Sequence, residues 1–325
     1  MIRVLASCIL FFWVTGIAAD PSDREFRLRM MVGFGTYTRF FPYLNHQSEI
    51  LRATGRDGGA TSTGWKKDAS GVAFGLQFDF DRWRAELELG GTGHEDRQMT
   101  ASRMRNTASE QSELHYLHAR DIGRSGGIIT GGYRLTDSRS PSQISALVGI
   151  KNFYYRVDYN HIYGIRSGNG EAYDGFSPYG RQELYLQGGI AGLDYRLRTS
   201  RNLEWQLRGM IYRLRGTWTQ GQRLFTTNGY YNFLSESASS TGAGSSVVFG
   251  INYDIGESWI LTLQGQWESS KIRMRDVNTY RLDSTATEEM LLNEYTLSHI
   301  RQRSYKESLQ FINFGFSYRI GLGDR

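Results

Sequence analysis

The chain has 325 residues, a formal charge of +5, 20 Tyr, 17 Phe, 38 Gly, only 4 Pro and a single Cys, and its mean hydropathy is below zero. No window approaches the roughly 18 apolar residues of a spanning helix, which excludes a helical membrane protein. The modest basic excess comes with no nucleic-acid fold signature, so it points to phosphate-bearing lipid surfaces and excludes a nucleic-acid partner.

The chain opens with Met1-Ile2-Arg3, an apolar run from Val4 to Ile17, and small residues at Gly16, Ala18 and Ala19. That is the form of a secretory signal, and the run is too short to cross a bilayer. The expected organisation is a signal peptide over 1–19, cut after Ala18 or Ala19, and one domain over 20–325. Cutting removes Cys8, so the mature chain has neither disulfides nor thiol chemistry.

Ten stretches then alternate apolar and polar residues with a period of two, the mark of a β-strand with one greasy face. In the first, Phe26, Leu28, Met30, Val32 and Phe34 stand opposite Arg27 and Arg29. The second sets Val72, Phe74, Leu76, Phe78 and Phe80 against Gln77 and Asp79. It reverses through Asp81-Arg82 into the third, with Trp83, Ala85, Leu87 and Leu89 against Arg84, Glu86 and Glu88. The fourth is the least regular. It reads from Ile129 to Leu135 with Tyr133 outward and Arg134 inward, and Gly126-Gly127 suggests a bulge. The fifth carries Ile144, Ala146, Val148 and Ile150 and reaches the far rim at Phe153-Tyr154-Tyr155. The sixth sets Ala191, Leu193, Tyr195 and Leu197 against Asp194 and Arg196. The seventh sets Leu203, Trp205, Leu207 and Ile211 against Glu204, Gln206 and Arg208. The eighth sets Val247, Phe249, Ile251, Tyr253 and Ile255 against Asn252 and Asp254, and the ninth sets Trp259, Leu261, Leu263 and Trp267 against Gln264 and Glu268. The tenth sets Ile312, Phe314, Phe316, Tyr318 and Ile320 against Asn313, Gly315, Ser317 and Arg319.

Short turns follow the even strands and long polar loops follow the odd ones. The loops span about 42–67, a stretch ending near 112, then 157–180, 217–237 and 275–301. This predicts an all-β, up-and-down transmembrane barrel of about ten strands, with short periplasmic turns, five long extracellular loops and both termini in the periplasm. Phe80, Trp83, Tyr133, Tyr195, Trp205, Tyr253, Trp259 and Tyr318 share the short-turn level, as an interfacial girdle does. The inward charges balance at seven bases (Arg27, Arg29, Arg84, Arg134, Arg196, Arg208, Arg319) and seven acids (Asp79, Glu86, Glu88, Asp194, Glu204, Asp254, Glu268). Buried charges must be paired, so an ion-pair lattice filling a narrow lumen is expected. A single-sign ring that would select ions is missing.

The closing segment from Asn313 to Ile320, with Gly315 and alternating Phe314, Phe316 and Tyr318, resembles the C-terminal signal read by the outer-membrane barrel-assembly machinery. Here Gly321 to Arg325 extend past it. The whole pattern resembles the omptin family of outer-membrane proteases, which pairs ten strands and five large loops with an Arg/Glu-filled interior. The nearest local likeness runs from Tyr179 to Gly221, with Trp218 at the outer rim. Barrels of the Protochlamydia outer-membrane protein type are similar in design. The omptin resemblance implies an acidic pair on the second loop and an Asp-x-His pair on the fourth. The fourth loop here, Thr217 to Arg223, has no His, so the family's catalytic residues are not matched.

His94, Glu95 and Asp96 on the second loop are the remaining candidate for acid–base work, although the simpler reading, a solvated strand end, is favoured. His115 and His118 point to opposite faces of a strand, so no metal site is expected. Asp158, His161, Glu171 and Asp174 share the third loop and could hold a cation. Lys271, Arg273, Arg275, Arg301, Arg303 and Lys306 flank the last loop at the height of lipid A phosphates, a candidate lipopolysaccharide patch. No cofactor is expected, and the chain reads as a monomer. Three roles stay open: a surface or adhesion protein with lipopolysaccharide contact, an omptin-like endopeptidase with displaced catalytic groups, and a small porin-like channel.

Overall fold

The computed structural model describes residues 24–38, 68–94, 97–106, 111–137, 140–167, 170–226, 231–256, 258–282 and 304–321, with side chains over a somewhat smaller set. The signal-peptide reading falls outside them. Eleven strands form one sheet: β1 (Arg24–Thr38), β2 (Asp68–Phe80), β3 (Trp83–His94), β4 (Arg97–Asn106), β5 (Gln111–Arg134), β6 (Ser142–Ser167), β7 (Gly170–Arg198), β8 (Leu203–Thr226), β9 (Tyr231–Ile255), β10 (Trp259–Leu282) and β11 (Ser304–Gly321). Each pairs antiparallel with its sequence neighbour, except that β3 and β4 both pair along one edge of β5. They are the lower and upper parts of one wall, the first ending at His94 and the second starting at Arg97. The pairing of β1 with β11, from Glu25↔Gly321 to Thr38↔Ser308, closes the wall. The result is a ten-stranded antiparallel barrel without a free edge in its lower half.

The faces of the lower half are those the alternation predicts. Met30, Val32, Phe34, Leu207, Ile211, Leu263, Phe314 and Phe316 are exposed on the outer wall, and their polar neighbours point into the lumen. Above that belt the arrangement turns inside out while the pairing continues. On β8, Leu207 and Ile211 face out, but the next outward residues are Arg213, Arg215, Thr217 and Thr219. Tyr212, Leu214 and Trp218 face in and are buried. On β6 the outward Val148 and Ile150 give way to Asn152, Arg156 and Asp158, while Phe153, Tyr155, Val157 and Tyr159 are buried inside. The same exchange brings Ile272 and Met274 on β10 and Leu184 and Leu186 on β7 inward. The upper barrel, here termed the turret, is therefore a water-facing cylinder with its own apolar core. From Arg213 to the end of β8 it rises on the order of 40 Å along the strand.

Three expectations are corrected. The segments read as loops over 157–180 and 217–237 are continuations of β6, β7, β8 and β9, paired up to Ser167↔Gly170 and Phe225↔Tyr231. The polar stretch before Ser112 contains β4, whose sequence has no clean alternation to reveal it. Gly126-Gly127 is not a bulge, because β5 pairs without interruption there against both β3 and β6. Gly126 serves close packing: a Cβ on it would stand 2.6 Å from the Asn152 carbonyl oxygen and 3.2 Å from the Phe153 Cβ. The register of β5 shifts instead between Ala119 and Asp121.

Candidate functional site

The lumen is layered. Its lowest layer centres on Asp194, whose carboxyl group is 0% exposed. Asp194 accepts hydrogen bonds from Arg84 (2.7 Å), Arg196 (2.9 Å), Arg208 (3.2 Å) and the Gln206 amide (2.6 Å). Arg84 also donates to Asp79 at 2.6 Å, and Arg208 to Glu86 at 2.7 Å. Arg29 bridges Glu86 and Glu88, at 2.9 Å to each. Nearer the turns, Arg319 meets Asp254 at 3.1 Å, Arg27 meets Glu25, and Glu204 accepts from Asn252 at 3.2 Å. Arg134 is half-buried at the end of β5 and is also engaged. Ion pairs thus span β1, β2, β3, β7 and β8, as low-dielectric burial of so many charges demands.

A second charged cluster lies at the top of the belt. Glu268 accepts from Lys151 (2.6 Å), Arg124 (2.9 Å) and the Tyr212 hydroxyl (3.0 Å), and Arg124 reaches Glu307 at 3.2 Å. The Lys151 ammonium sits 4.3 Å from the Tyr212 ring centroid. Arg124, Lys151 and Glu307 escaped the sequence reading because they lie past the points where the outward alternation stops. Carrying the inward parity of each strand up to five residues further would have found them. A void of about 90 Å³ beside this cluster and one of about 20 Å³ lower down are room for a few waters, not a path for solutes. Above them Phe153, Tyr155, Leu186, Leu214, Trp218 and Ile272 fill the turret. Trp218, expected at the rim, is wholly buried. It points inward from a strand that continues where a loop was expected.

Outside, the girdle aromatics pair edge to face near the turns. Trp83 meets Tyr133 and Trp259 meets Tyr318, each at 4.9 Å between centroids, and Trp205 lies 5.7 Å from Phe249. Tyr253 is exposed beside them, and Phe80 and Tyr195 are half-buried. Of the candidate acid–base group, His94 ends β3, and Glu95 and Asp96 lie outside the described residues. Of the four residues that could hold a cation, only the Asp158 side chain is described, and those of His161, Glu171 and Asp174 lie outside the described side chains. Asp158 accepts from Arg156 (2.5 Å) and Arg181 (2.8 Å) on the turret wall. Burial alone would raise its pKa, but those two guanidiniums hold it below the usual carboxylate range. Among the described residues no group of His, Cys, Asp and Glu could hold a metal.

The candidate lipid patch is partly described. Lys271, Arg273, Arg275 and Lys306 are exposed on the outer wall of β10 and β11, and Arg301 and Arg303 lie outside the described residues. The register adds two residues missed in the sequence. Arg213 on β8 and Lys271 on β10 both lie opposite Ala243 of β9, and Lys271 lies directly opposite Lys306. One level higher, Arg215, Thr241 and Arg273 form the next row. Six cations thus line a trough floored by the small outward residues Ser239, Thr241, Ala243 and Ser245. The one described acid on this outer face is Asp276 at its top, which accepts from the Ser239 hydroxyl at 3.1 Å.

No family model and no curated protein matches the chain. Among solved structures it is similar to the outer membrane protease OmpT from Escherichia coli, at 10% identity and a TM-score of 0.49, over 92% of this chain and 97% of that one. It is also similar to a major outer membrane protein from Thermus thermophilus (8% identity, TM-score 0.35, 91% and 99% covered). A third is the attachment protein Ail of Yersinia pestis (9% identity, TM-score 0.22, 92% and 99% covered). Likenesses this distant carry no functional weight, and the fold stands on the barrel's own pairing and faces. A closed, even-stranded, up-and-down barrel with an apolar outer belt and an aromatic girdle is of the outer-membrane kind, and the chain is an integral outer-membrane protein.

Proposed function

We propose that this barrel is a non-conducting surface platform that grips lipopolysaccharide along one side of its turret. The observation that carries the reading is the row of like charges just above the lipid belt. Lys271 and Lys306 stand directly opposite each other across two paired strands, with Arg213 in the same row and Arg215, Arg273 and Arg275 above. Like charges in a cross-strand pair are destabilising, so their retention calls for a bound anion. On the adjoining strands β6 and β7, Arg156 and Arg181 are balanced by Asp158 and Glu183, which leaves the trough as the basic face among the described residues. The phosphates of lipid A lie at that height and suit bidentate Arg contacts. The paired charges and the apolar turret core leave no room for conduction, which speaks against a channel. The turret instead presents its loops to the medium as a rigid pedestal, a place where surface recognition resides.

The test is titration of refolded protein with lipopolysaccharide carrying intact or enzymatically dephosphorylated lipid A. At about 1 kcal/mol per cation near an anionic surface, replacing Lys271, Arg273 and Arg275 together by Gln should weaken binding about a hundredfold. Dephosphorylation should have a like effect on the parent protein. Unchanged affinity in both arms would remove the proposal.

A further inference from the structure

We infer that the lipid-facing wall carries a docking hollow for the acyl chains of a zwitterionic diacyl phospholipid, whose phosphate and ammonium groups meet a checkerboard of charges on β6 and β7. The inference is independent of the basic trough and shares no residue with it. The hollow is half open and holds about 1420 Å³. It runs over the outer wall from β10, across β11, β1, β2, β3, β5 and β6, to β7. A barrel wall is convex, so lipid chains ordinarily slide past it. The void beside Glu268, by comparison, holds about 90 Å³.

Part of its floor is bare. Gly91 on β3 lies opposite Val72 of β2 and Ser125 of β5, and Gly127 on β5 lies opposite Leu89 of β3 and Asn152 of β6. Gly91, Ser125 and Gly127 share the outward parity, so three small residues adjoin on the lipid side. Val72 and Phe74, both exposed, stand on one flank of them and Tyr154 on the other. Packing within the protein does not ask for the glycine at 91. A Cβ there would meet nothing nearer than the Arg124 carbonyl oxygen at 3.6 Å, an ordinary contact. Glycine inside a strand weakens it and marks a place where something approaches the backbone closely. The hollow is continuous with the apolar belt, so what approaches here comes from the lipid.

An acyl chain is as apolar as the wall, so the floor offers it only closer packing, and the head singles out one lipid. Tyr154 and Tyr185, opposite each other in register, form the upper end of the hollow. The Tyr154 hydroxyl donates to Glu183 at 2.5 Å, and the Tyr185 hydroxyl to Gln187 at 2.8 Å. Just above, Arg156 lies directly opposite Glu183, and Asp158 directly opposite Arg181. Cations and carboxylates thus alternate over a square of four side chains. The Arg156 and Arg181 side chains remain 40% and 52% exposed, so both can take a further partner. Such a square suits a head that bears both signs: guanidinium N–H groups donate to the phosphate, and the ammonium donates to the carboxylates. A head with phosphates alone gains nothing from the two acids.

The experiment is native mass spectrometry of refolded protein given equal amounts of phosphatidylethanolamine and phosphatidylglycerol with matched chains, and then lipopolysaccharide. Phosphatidylethanolamine should stay bound in preference to phosphatidylglycerol. Gly91→Leu and Ser125→Leu fill the floor and should each lower that retention about tenfold. Either serves alone if the other loses its heat-modifiable mobility on gels. Gly209→Leu adds the same bulk on the outer wall of β8, where a Cβ meets nothing within 4 Å, and should leave retention unchanged. Glu183→Gln should keep a lipid but lose the preference for the ethanolamine head. The variant with Lys271, Arg273 and Arg275 replaced by Gln should retain the lipid as the parent does, so failure of the trough leaves this site standing. A parent that retains no lipid, or both lipids equally, overturns the site. So do floor-filled variants that retain as much as the parent, an unchanged preference in Glu183→Gln, and release of the phospholipid by lipopolysaccharide.

Discussion

Asp194→Asn is the substitution whose cost the structure sets most clearly. The parent carboxylate receives three guanidiniums and one amide within 3.2 Å and has no contact with solvent. In the variant, Arg84 keeps Asp79 at 2.6 Å and Arg208 keeps Glu86 at 2.7 Å. Arg196 is left with Glu204 at 3.8 Å and the Gln77 amide oxygen at 3.5 Å, both long. One buried cation is then largely uncompensated, at a cost of about 3–5 kcal/mol. Asp254→Asn breaks the half-exposed contact with Arg319 and should cost below about 1 kcal/mol. The assay is urea unfolding of the barrel refolded into lipid vesicles, followed by Trp fluorescence. Adding Arg196→Gln to Asp194→Asn should recover more than half of the loss, because it removes the stranded charge. An Asp194→Asn barrel within 1 kcal/mol of the parent, or a double variant no better than the single, would refute the reasoning.

Leu263 lies mid-belt on the outer wall between Trp259 and Trp267, so Leu263→Arg should cost about 2–4 kcal/mol in the same unfolding assay. Ser269→Arg, two residues above Trp267 on the same face, should cost little. Trp218→Ala should cost about 3–5 kcal/mol despite lying far outside the lipid, because Trp218 is wholly buried in the turret core. Asp158 has a depressed pKa in the folded state, so its pairing stabilises the turret above the unfolded carboxylate value and is lost as pH falls through the folded one. The acid limb of the stability profile should therefore be flatter in Asp158→Asn than in the parent, and an unchanged limb would count against the pairing with Arg156 and Arg181.

The lower barrel was legible because its physics has a single period. Outward Leu203, Trp205, Leu207 and Ile211 alternate with inward Glu204, Gln206 and Arg208, and lipid outside with charge inside makes the contrast strong. The turret was not legible, although its strands alternate just as strictly. Past Ile211 the greasy residues move to the other parity, with Tyr212, Leu214 and Trp218 inward. A search for one continuous apolar face reads that change of phase as the end of a strand. β4 stayed hidden for a different reason, since Arg97, Thr100, Ser102 and Arg103 offer little apolar contrast on either side. Of the basic patch, Lys271, Arg273, Arg275 and Lys306 could be read from proximity in sequence. Arg213 joins them only through the register across β9, which no local pattern encodes.

The central claim is that the wall passes from lipid to water between Ile211 and Arg213. Nitroxide labels on single cysteines at positions 207, 211, 213 and 217 of β8, in protein refolded into vesicles, test it through power-saturation EPR. The structure predicts that 207 and 211 collide preferentially with oxygen, and 213 and 217 with a water-soluble nickel chelate. Equal access of the nickel chelate to all four positions would show that no part of this wall touches a bilayer.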